Sequence, residues 1–258
     1  MKAAVAQIRA RPGDVAANLA TIDQATGAAA AAGAELVVFP ELATTGYGAG
    51  PAIRELAEPP DGPQLRRLAA IAEAHGLALV AGFPERDGDQ VYNALAFLRA
   101  GAAPLVYRKT HLYADYERAL FIPGEIRPTV VDFAGLRLGF LICYDVEFPE
   151  NVRRLAQAGA EVIVVPTALP AGPHAQFIAA SVVPVRAFEN QVFVLYANHA
   201  GADERFRYAG NSCIAAPDGA CLAAAPDDAP ALLLADLESA AYEDSRRANT
   251  YLEDLRRG

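Results

Sequence analysis

The chain has 258 residues, of which 53% are hydrophobic, and it carries a formal net charge of −9 with a pI of about 5.0. This size and composition predict one large hydrophobic core, so we expect a single domain spanning residues 1–258. The negative charge disfavours nucleic acid or an anionic membrane as the main partner. Outside alanine-rich helix there is no apolar run of about 18 residues, so no membrane-spanning helix is predicted.

The N-terminus and the cysteine and histidine patterns exclude further classes. The segment MKAAVAQI has an early charge and no cleavage-site pattern, which predicts a first strand and a cytoplasmic location instead of a signal peptide. The three cysteines form no CxxC pair and leave one thiol over, so a disulfide framework is not expected. The four histidines lack metal-ligand spacing, so no metal site is predicted.

Strands and helices alternate early in the chain, and hairpins follow. Strands are predicted at 2–8, 35–39, 77–83, 91–99, 103–108, 129–133, 136–142, 161–165, 192–196, 212–216, 220–224 and 231–237. Helices are predicted after Asp14, at 64–76, after Pro149 and at 175–190, where Pro184 should kink the helix. Residues 109–124 are expected to form a long connection, and 238–258 a charged tail. The pattern favours an α/β fold with two sheets, or one large mixed sheet, covered by helices.

The most informative stretch is LGFLICYDVEFPE at 138–150. Its apolar half predicts a buried strand, and Pro149 predicts a helix start. Cys143 is therefore expected where a strand turns toward a helix, the position at which α/β folds place their chemistry. Backbone N–H groups of such a turn can stabilise an oxyanion.

Two charged residues also follow predicted strands, namely Glu41 after ELVVFP and Lys109 after PLVYR. A carboxylate can take the proton of an attacking thiol, and an ammonium can stabilise the thiolate and then the oxyanion. Taken singly, such residues are more often inert core thiols or solvated charges. Only two of the 22 basic residues are lysines, Lys2 and Lys109, so a lysine in mid-chain stands out against an arginine background. Together the strand-end positions favour a catalytic set.

Four motifs, FPELATTGY, YRKTHLY, LICYDVEFPE and VPVRAFENQVFVLYANHAG, resemble those of the nitrilase (carbon–nitrogen hydrolase) superfamily over nearly the whole chain. The resemblance implies an α/β fold, a four-layer αββα sandwich, that assembles into a homodimer or higher homo-oligomer and needs no cofactor. It implies that Glu41 is the general base, Lys109 the cation and Cys143 the nucleophile. Glu117 corresponds to the family's second glutamate. Lys109 and the backbone N–H of Tyr144 would bind the oxyanion.

Within the superfamily, CYDVEFPE, PTAL and YANHAG are most similar to small aliphatic amidases, including 5-aminopentanamidase and stereoselective amidases. We therefore expect hydrolysis of a small, mostly linear amide, with a distal amino group as a further expectation. No arginine is present in CYDVEFPE or PTAL to bind a substrate carboxylate. The predicted substrate pocket is lined by Tyr47, Tyr113, Tyr144, Thr167 and His199.

Two alternatives remain open from the sequence. The first keeps the same three residues and changes the substrate to an N-carbamoyl compound or a nitrile. The second is a non-catalytic interaction protein or thiol sensor that uses Cys143 as a reactive thiol. A sensor has no need for the second carboxylate at Glu117, which favours the enzyme.

Overall fold

The computed structural model describes residues 1–256, and two six-stranded sheets organise them. The strands are β1 (Lys2–Gln7), β2 (Leu36–Val38), β3 (Ala78–Asp87), β4 (Gln90–Leu98), β5 (Leu105–Arg108), β6 (Val130–Phe133), β7 (Leu136–Phe140), β8 (Val162–Pro166), β9 (Phe193–Ala197), β10 (Cys213–Ala215), β11 (Cys221–Ala224) and β12 (Ala231–Asp236). The strand order is β12-β1-β2-β3-β4-β5 in one sheet and β11-β10-β9-β8-β7-β6 in the other.

Helices cover the outer faces of both sheets. They are α1 (Val15–Ala31), α2 (Ala52–Leu56), α3 (Pro63–His75), α4 (Ala114–Leu120), α5 (Pro149–Gln157), α6 (Ala175–Phe177), α7 (Val183–Asn190), α8 (Glu243–Ala248) and α9 (Tyr251–Asp254). Asp14 caps α1 by accepting the Ala17 N–H at 3.0 Å, and α3 ends at Gly76 with a left-handed φ of 69°. Both helix boundaries were predicted by the sequence. None of the helices in residues 1–256 is long and apolar enough to cross a membrane.

Alternation along β1 shows how the layers form. Ala3 and Val5 pack into a core between the two sheets, together with Phe140 from β7, whereas Ala4 faces a second core with Ile22 from α1. Helices α1 and α3 cover the sheet that contains β1. Helices α5 and α7 cover the sheet that contains β7. The order of layers is helices, sheet, sheet, helices, which confirms the predicted αββα sandwich.

Two local predictions need correction. The connection at 109–124 contains helix α4, which is only 7 residues long and polar, so its sequence has no extended helical periodicity. The helix predicted at 175–190 is not a single helix kinked at Pro184. A π-helical segment, Ile178–Val182, connects α6 to α7, and Pro184 lies near the start of α7. Proline has no N–H to donate to a carbonyl four residues earlier, and a wider π turn accommodates that loss.

The strand directions bring several strand ends to one edge. Strands β1, β2 and β3 are parallel, and β5 runs in the same direction because β4 is antiparallel to both β3 and β5. In the other sheet β7, β8 and β9 are parallel. Segments that follow β2, β5, β7 and β8 therefore carry the side chains that converge in the site described next.

Candidate active site

Glu41 lies in the turn after β2 and is completely buried. The backbone N–H of Glu41 donates to the carbonyl oxygen of Thr167 at 3.3 Å. The backbone carbonyl oxygen of Glu41 lies 2.7 Å from Nε2 of His199. Because a carbonyl only accepts, His199 carries its proton on Nε2, and burial lowers the pKa of this histidine to about 4. The backbone of Glu41 is thus fixed from the opposite sheet, and its side chain is left for chemistry.

Gly82 on β3 allows this turn to approach the sheet. Its N–H donates to the Pro40 carbonyl at 3.1 Å, and a Cβ at this position would lie 2.7 Å from Cα of Glu41 and collide with the backbone nitrogen of Leu42. Leu42 itself has a positive φ of 49°, which is unusual for a leucine. A glycine at 82 is therefore a steric requirement of the Glu41 position.

Lys109 joins two carboxylates in a buried cluster. Its Nζ lies 2.6 Å from Oε1 of Glu41 and 2.6 Å from Oε1 of Glu117, and all three side chains are at most 1% exposed. Asn93 on β4 donates to Oε1 of Glu41 at 2.6 Å. The second oxygen of Glu41, Oε2, is buried and has no hydrogen-bond partner in residues 1–256. It is the oxygen available to accept a proton.

Glu117 lies on helix α4 and not in the open loop predicted from the sequence, and its Oε1 lies 2.6 Å from Nζ of Lys109. The Tyr47 hydroxyl donates to its Oε1 at 3.0 Å, and the backbone N–H of Tyr113 donates to its Oε2 at 2.8 Å. Both of its oxygens are therefore occupied. This arrangement suits a residue that orients its neighbours better than one that shuttles protons.

Cys143 follows β7 and begins a 3₁₀ turn, Cys143–Glu147, that leads into α5. The predicted strand-to-helix turn is confirmed. Cys143 is nonetheless buried, with only 8% of its surface exposed. Its φ is +46°, a left-handed conformation that costs free energy for a residue with a side chain and that occurs preferentially at functional sites.

Burial and charge together set the protonation of this cluster. Burial raises the pKa of Glu41, Lys109 opposes this effect and the charge of Glu117 adds to it, so that the pKa is about 7. Burial acts to lower the pKa of Lys109, but Glu117, Glu41 and Cys143 outweigh it and hold that pKa above its ordinary value. Burial and the Glu41 charge raise the pKa of Cys143, with Lys109 opposing. The resting site therefore holds an ammonium, a neutral thiol and a carboxylate poised near neutral pH.

Asp145 connects the cysteine turn to the segment after β5. Its Oδ1 accepts from Thr110 Oγ1 at 2.7 Å, from the His111 N–H at 2.8 Å and from His111 Nδ1 at 2.9 Å. Its Oδ2 accepts from the Tyr107 hydroxyl at 2.9 Å and from the Ile142 N–H at 3.2 Å. This fully buried carboxylate fixes the position of Cys143 relative to Lys109.

Known proteins are similar to this chain over nearly its whole length. The carbon–nitrogen hydrolase family model matches residues 2–247. The chain belongs to this family. This carbon–nitrogen hydrolase is 48% identical over 259 residues to the hydrolase in the pqqF 5′ region of Pseudomonas protegens, covering 99% of this chain and 89% of that protein. It is 37% identical to the (R)-stereoselective amidase of a Pseudomonas species, covering 99% and 92% of the two chains.

Among solved structures, the hydrolase is similar to an amidase from Nesterenkonia sp. AN1, with a TM-score of 0.89, 35% identity and coverage of 99% of this chain and 96% of that one. A glutamate variant of that amidase shows covalent addition of the acetamide moiety of fluoroacetamide at its active-site cysteine. A cysteine-to-alanine variant of the same amidase is in complex with butyramide.

The five residues predicted to line the substrate pocket of this hydrolase fall into two groups. Tyr47 touches Glu117, and the rings of Tyr113 and Tyr144 meet edge to face at 5.2 Å. Tyr144 lines a surface depression of about 520 Å³, together with Thr110, His111, Leu112, Arg118, Phe121, Pro123 and Phe148. Thr167 and His199 instead lie behind the Glu41 backbone and are fully buried.

The sequence analysis did not identify Asn93, Gly82 or Asp145 as residues of the site. Asn93 is the one amide within the apolar run VYNALAFL, and a polar residue in a buried strand requires a partner, so the composition of this strand contained a signal. The contacts of Asp145 join segments about 35 residues apart, and no local pattern marks them. Gly82 is required only because another loop packs over it.

Proposed function

We propose that this chain is an amidase that hydrolyses small aliphatic amides to a carboxylic acid and ammonia through a thioester on Cys143. The proposal depends chiefly on the buried ammonium of Lys109, which lies 2.6 Å from each of two carboxylates beside the cysteine turn. The amidases among its relatives support the same reaction class.

In the acylation step, the Cys143 thiol attacks the amide carbon while its proton passes to Glu41. The raised pKa of the thiol calls for such a base, and the pKa of Glu41 near 7 suits it for the task at neutral pH. Lys109 and the backbone N–H of Tyr144 stabilise the oxyanion. Protonated Glu41 then donates its proton to the nitrogen, the C–N bond breaks, and ammonia leaves the thioester behind.

In the deacylation step, Glu41 removes a proton from water as the water oxygen attacks the thioester carbon. The C–S bond breaks, and the proton returns to the sulfur of Cys143. Glu117 orients Lys109 throughout, since its oxygens already accept from the Tyr47 hydroxyl and the Tyr113 N–H. One water is consumed and one ammonia released per turnover, and no cofactor takes part.

The decisive experiment measures ammonia release from acetamide, butyramide, pentanamide, the corresponding nitrile and an N-carbamoyl amine. We expect the amides to give the highest kcat/KM. Cys143→Ala should abolish turnover, and Cys213→Ala, at a buried thiol on β10, is the matched control that should retain it. Intact-protein mass spectrometry after an amide pulse should detect an acyl adduct on the wild-type protein and on Cys213→Ala, but not on Cys143→Ala.

Three outcomes would contradict the proposal. Full activity of Cys143→Ala would remove the thioester mechanism. A nitrile or carbamoyl compound with a higher kcat/KM than every amide would show that the substrate class is different. No turnover of any compound would leave a binding or sensing role for the same fold.

The remaining sequence-based expectations form part of the proposal. The chain would act as one domain, in the cytoplasm, as a homodimer or higher homo-oligomer. Tyr47, Tyr113, Tyr144, Thr167 and His199 would shape the substrate pocket, the first three from the side of α4 and the last two through the Glu41 turn. Light scattering of the purified protein and cell fractionation test the assembly and the location.

A further inference from the structure

Three aromatic rings from separate parts of the chain pack against one another. The ring centre of Phe206 lies 5.2 Å from that of Tyr47 and 5.1 Å from that of Tyr116, and the two tyrosine rings lie 5.3 Å apart. Tyr47 belongs to a 3₁₀ turn after β2, Tyr116 to α4, and Phe206 to the connection between β9 and β10. Because each ring contacts the other two, the position of each depends on both of its neighbours.

Two of these rings are bonded to residues of the site. The Tyr47 hydroxyl donates to Oε1 of Glu117 at 3.0 Å, and the same oxygen lies 2.6 Å from Nζ of Lys109. The Tyr116 hydroxyl donates to the backbone carbonyl of Tyr47 and accepts the Gly50 N–H at 3.1 Å. The turn after β2 and helix α4 are therefore joined through both tyrosines.

The third ring, Phe206, is carried by a short hairpin that its own hydrogen bonds hold in place. The Asp203 N–H donates to the Phe206 carbonyl at 2.8 Å, and Oδ1 of Asp203 accepts the N–H groups of Arg205 and Phe206, each at 2.8 Å. The Tyr208 hydroxyl donates to Oδ2 of Asp203 at 2.5 Å. A Cβ on Gly48 would collide with that carboxylate, so the hairpin lies directly against the 3₁₀ turn after β2.

We propose that Phe206 is a positioning residue of the amidase, whose ring fixes Tyr47 and thereby the hydroxyl that holds Glu117. The inference depends on the proposed amidase function and adds a residue to its machinery. Since Glu117 is the second anchor of the Lys109 ammonium, a displaced hydroxyl leaves that ammonium less firmly placed for the oxyanion. A misplacement of about 1 Å in a catalytic group can reduce the rate by up to about 10²-fold.

The first test measures kcat and KM of Phe206→Ala for acetamide, butyramide and pentanamide. Because the oxyanion forms only during the reaction, we expect kcat to fall about tenfold while KM stays nearly the same. The fall should be equal for the three amides, since all of them form the same oxyanion. A ring that lined the substrate pocket would instead change KM, and by more as the acyl chain lengthens.

The second readout is the rising limb of the pH profile of kcat/KM, which follows the ionisation of Glu41. Burial raises the pKa of Glu41, Lys109 opposes this effect and the charge of Glu117 adds to it. A Glu117 carboxylate released from its place contributes less, whereas the Lys109 ammonium keeps its bond to Glu41. We therefore expect the limb of Phe206→Ala to move to lower pH.

Phe188→Ala is the matched control for both measurements. Phe188 on α7 is also half-buried, and its ring packs edge to face against a tyrosine, Tyr251, at 5.7 Å. Its removal costs a similar aromatic contact at a distance from the charge cluster. The variant should keep the kcat and the limb of the wild-type protein.

A double-mutant cycle tests the route through the tyrosine hydroxyl. Tyr47→Phe removes the hydroxyl and keeps the ring, so in that background the bond that Phe206 is proposed to preserve is already absent. Phe206→Ala should then reduce kcat by less than about twofold, against about tenfold when it is made in the wild-type protein.

An unchanged kcat and limb in Phe206→Ala would overturn the positioning role, as would equal changes in Phe188→Ala, a loss confined to KM, or the same loss in both backgrounds of the cycle. Phe206→Leu, which keeps apolar bulk, replaces Phe206→Ala if that variant does not fold, and a limb that stays in place there would also overturn it. Each of these results leaves amide hydrolysis by the wild-type protein intact. Failure of the wild-type protein to release ammonia from any amide would instead refute the amidase function.

Discussion

Two buried carboxylates of the site, those of Asp145 and Glu41, differ in how many hydrogen-bond donors they meet. Asp145 has donors on both oxygens, supplied by Tyr107, Thr110, His111 and the Ile142 N–H. Glu41 has donors on Oε1 only, and its Oε2 is buried without a partner. Since buried polar atoms are nearly always paired, the exception at Glu41 calls for an explanation.

The difference separates a carboxylate that holds structure from one that is prepared to react. Saturated hydrogen bonds stabilise the charged form of a carboxylate and fix its position, which suits a link between two segments. An incompletely paired carboxylate keeps an oxygen for a transferred proton and has a raised pKa. Replacing each in turn should therefore damage different properties of the protein.

Glu41→Gln should have the largest effect, a loss of about 10²–10⁴ in kcat, because general-base catalysis is removed. The same substitution should also change how the free energy of unfolding depends on pH. Between pH 4.5 and about 7 the folded protein keeps a proton on Glu41, whereas the unfolded chain has released it. The wild-type free energy of unfolding should therefore fall by about 3 kcal/mol as pH rises through that interval. Urea unfolding at pH 5 and pH 8 should show a smaller fall for Glu41→Gln.

Glu55→Gln, at an exposed site on α2, is the control and should keep both the activity and the pH dependence of stability. A Glu41→Gln variant with near wild-type kcat would show that the unpaired oxygen has no catalytic role. A pH dependence equal to that of the wild-type protein would show that Glu41 is already ionised when it is buried.

Lys109→Arg should reduce kcat by about 10²–10³, the loss expected for one oxyanion donor. Arginine retains the charge, but its planar guanidinium does not fit between two carboxylates that each lie 2.6 Å from a single nitrogen. Steady-state kinetics on a simple amide provide the measurement. Activity within a few-fold of wild type would mean that only the charge matters here.

Asp145→Asn should reduce the free energy of unfolding by about 3 kcal/mol, because an amide NH₂ would face donors that now meet a carboxylate oxygen. Activity should also fall, about tenfold, through displacement of Cys143. Asp132→Asn on β6, where the side chain is exposed, is the matched control and should change neither quantity. Unchanged urea unfolding of Asp145→Asn would show that its hydrogen bonds do not hold the turn.

Glu117→Gln should have the smallest and most specific effect. The rising limb of the pH profile of kcat/KM is expected near pH 7, where Glu41 loses its proton. The charge of Glu117 raises that pKa, so its removal should shift the limb to lower pH. Glu125→Gln, at an exposed position beyond α4, should leave the limb in place, and a shift to higher pH would contradict the assignment.

The sequence predicted the parts of the site that local pattern determines. Apolar runs ending in Glu41, Lys109 and Cys143 mark strand ends, and parallel strands bring such ends to one edge. The family motifs then supplied Glu117. The αββα layers followed from the resemblance, and the hydrophobic pattern alone left a single mixed sheet open.

Other features depend on strand order and register, which a single sequence does not contain. Asn93 contacts Glu41 only because β4 lies two strands from β2, across β3. The donors to Asp145 lie near Lys109, on a segment about 35 residues away in the chain, so its local sequence does not mark it as part of the site. Helix α4 was missed because its 7 residues are stabilised by burial of Glu117 and Leu120 and not by a periodic apolar face.

The burial of Cys143 also determines how the protein withstands oxidants. Peroxide and disulfides react with thiolates, and a thiol that is 8% exposed with a raised pKa presents very little thiolate. A redox sensor requires the reverse, an accessible thiol of low pKa, so the burial disfavours the sensor role. Cys221 on β11 is exposed and should be oxidised first. The protein is therefore expected to retain its activity in air and in mild peroxide, losing a peripheral thiol before the one on which turnover depends.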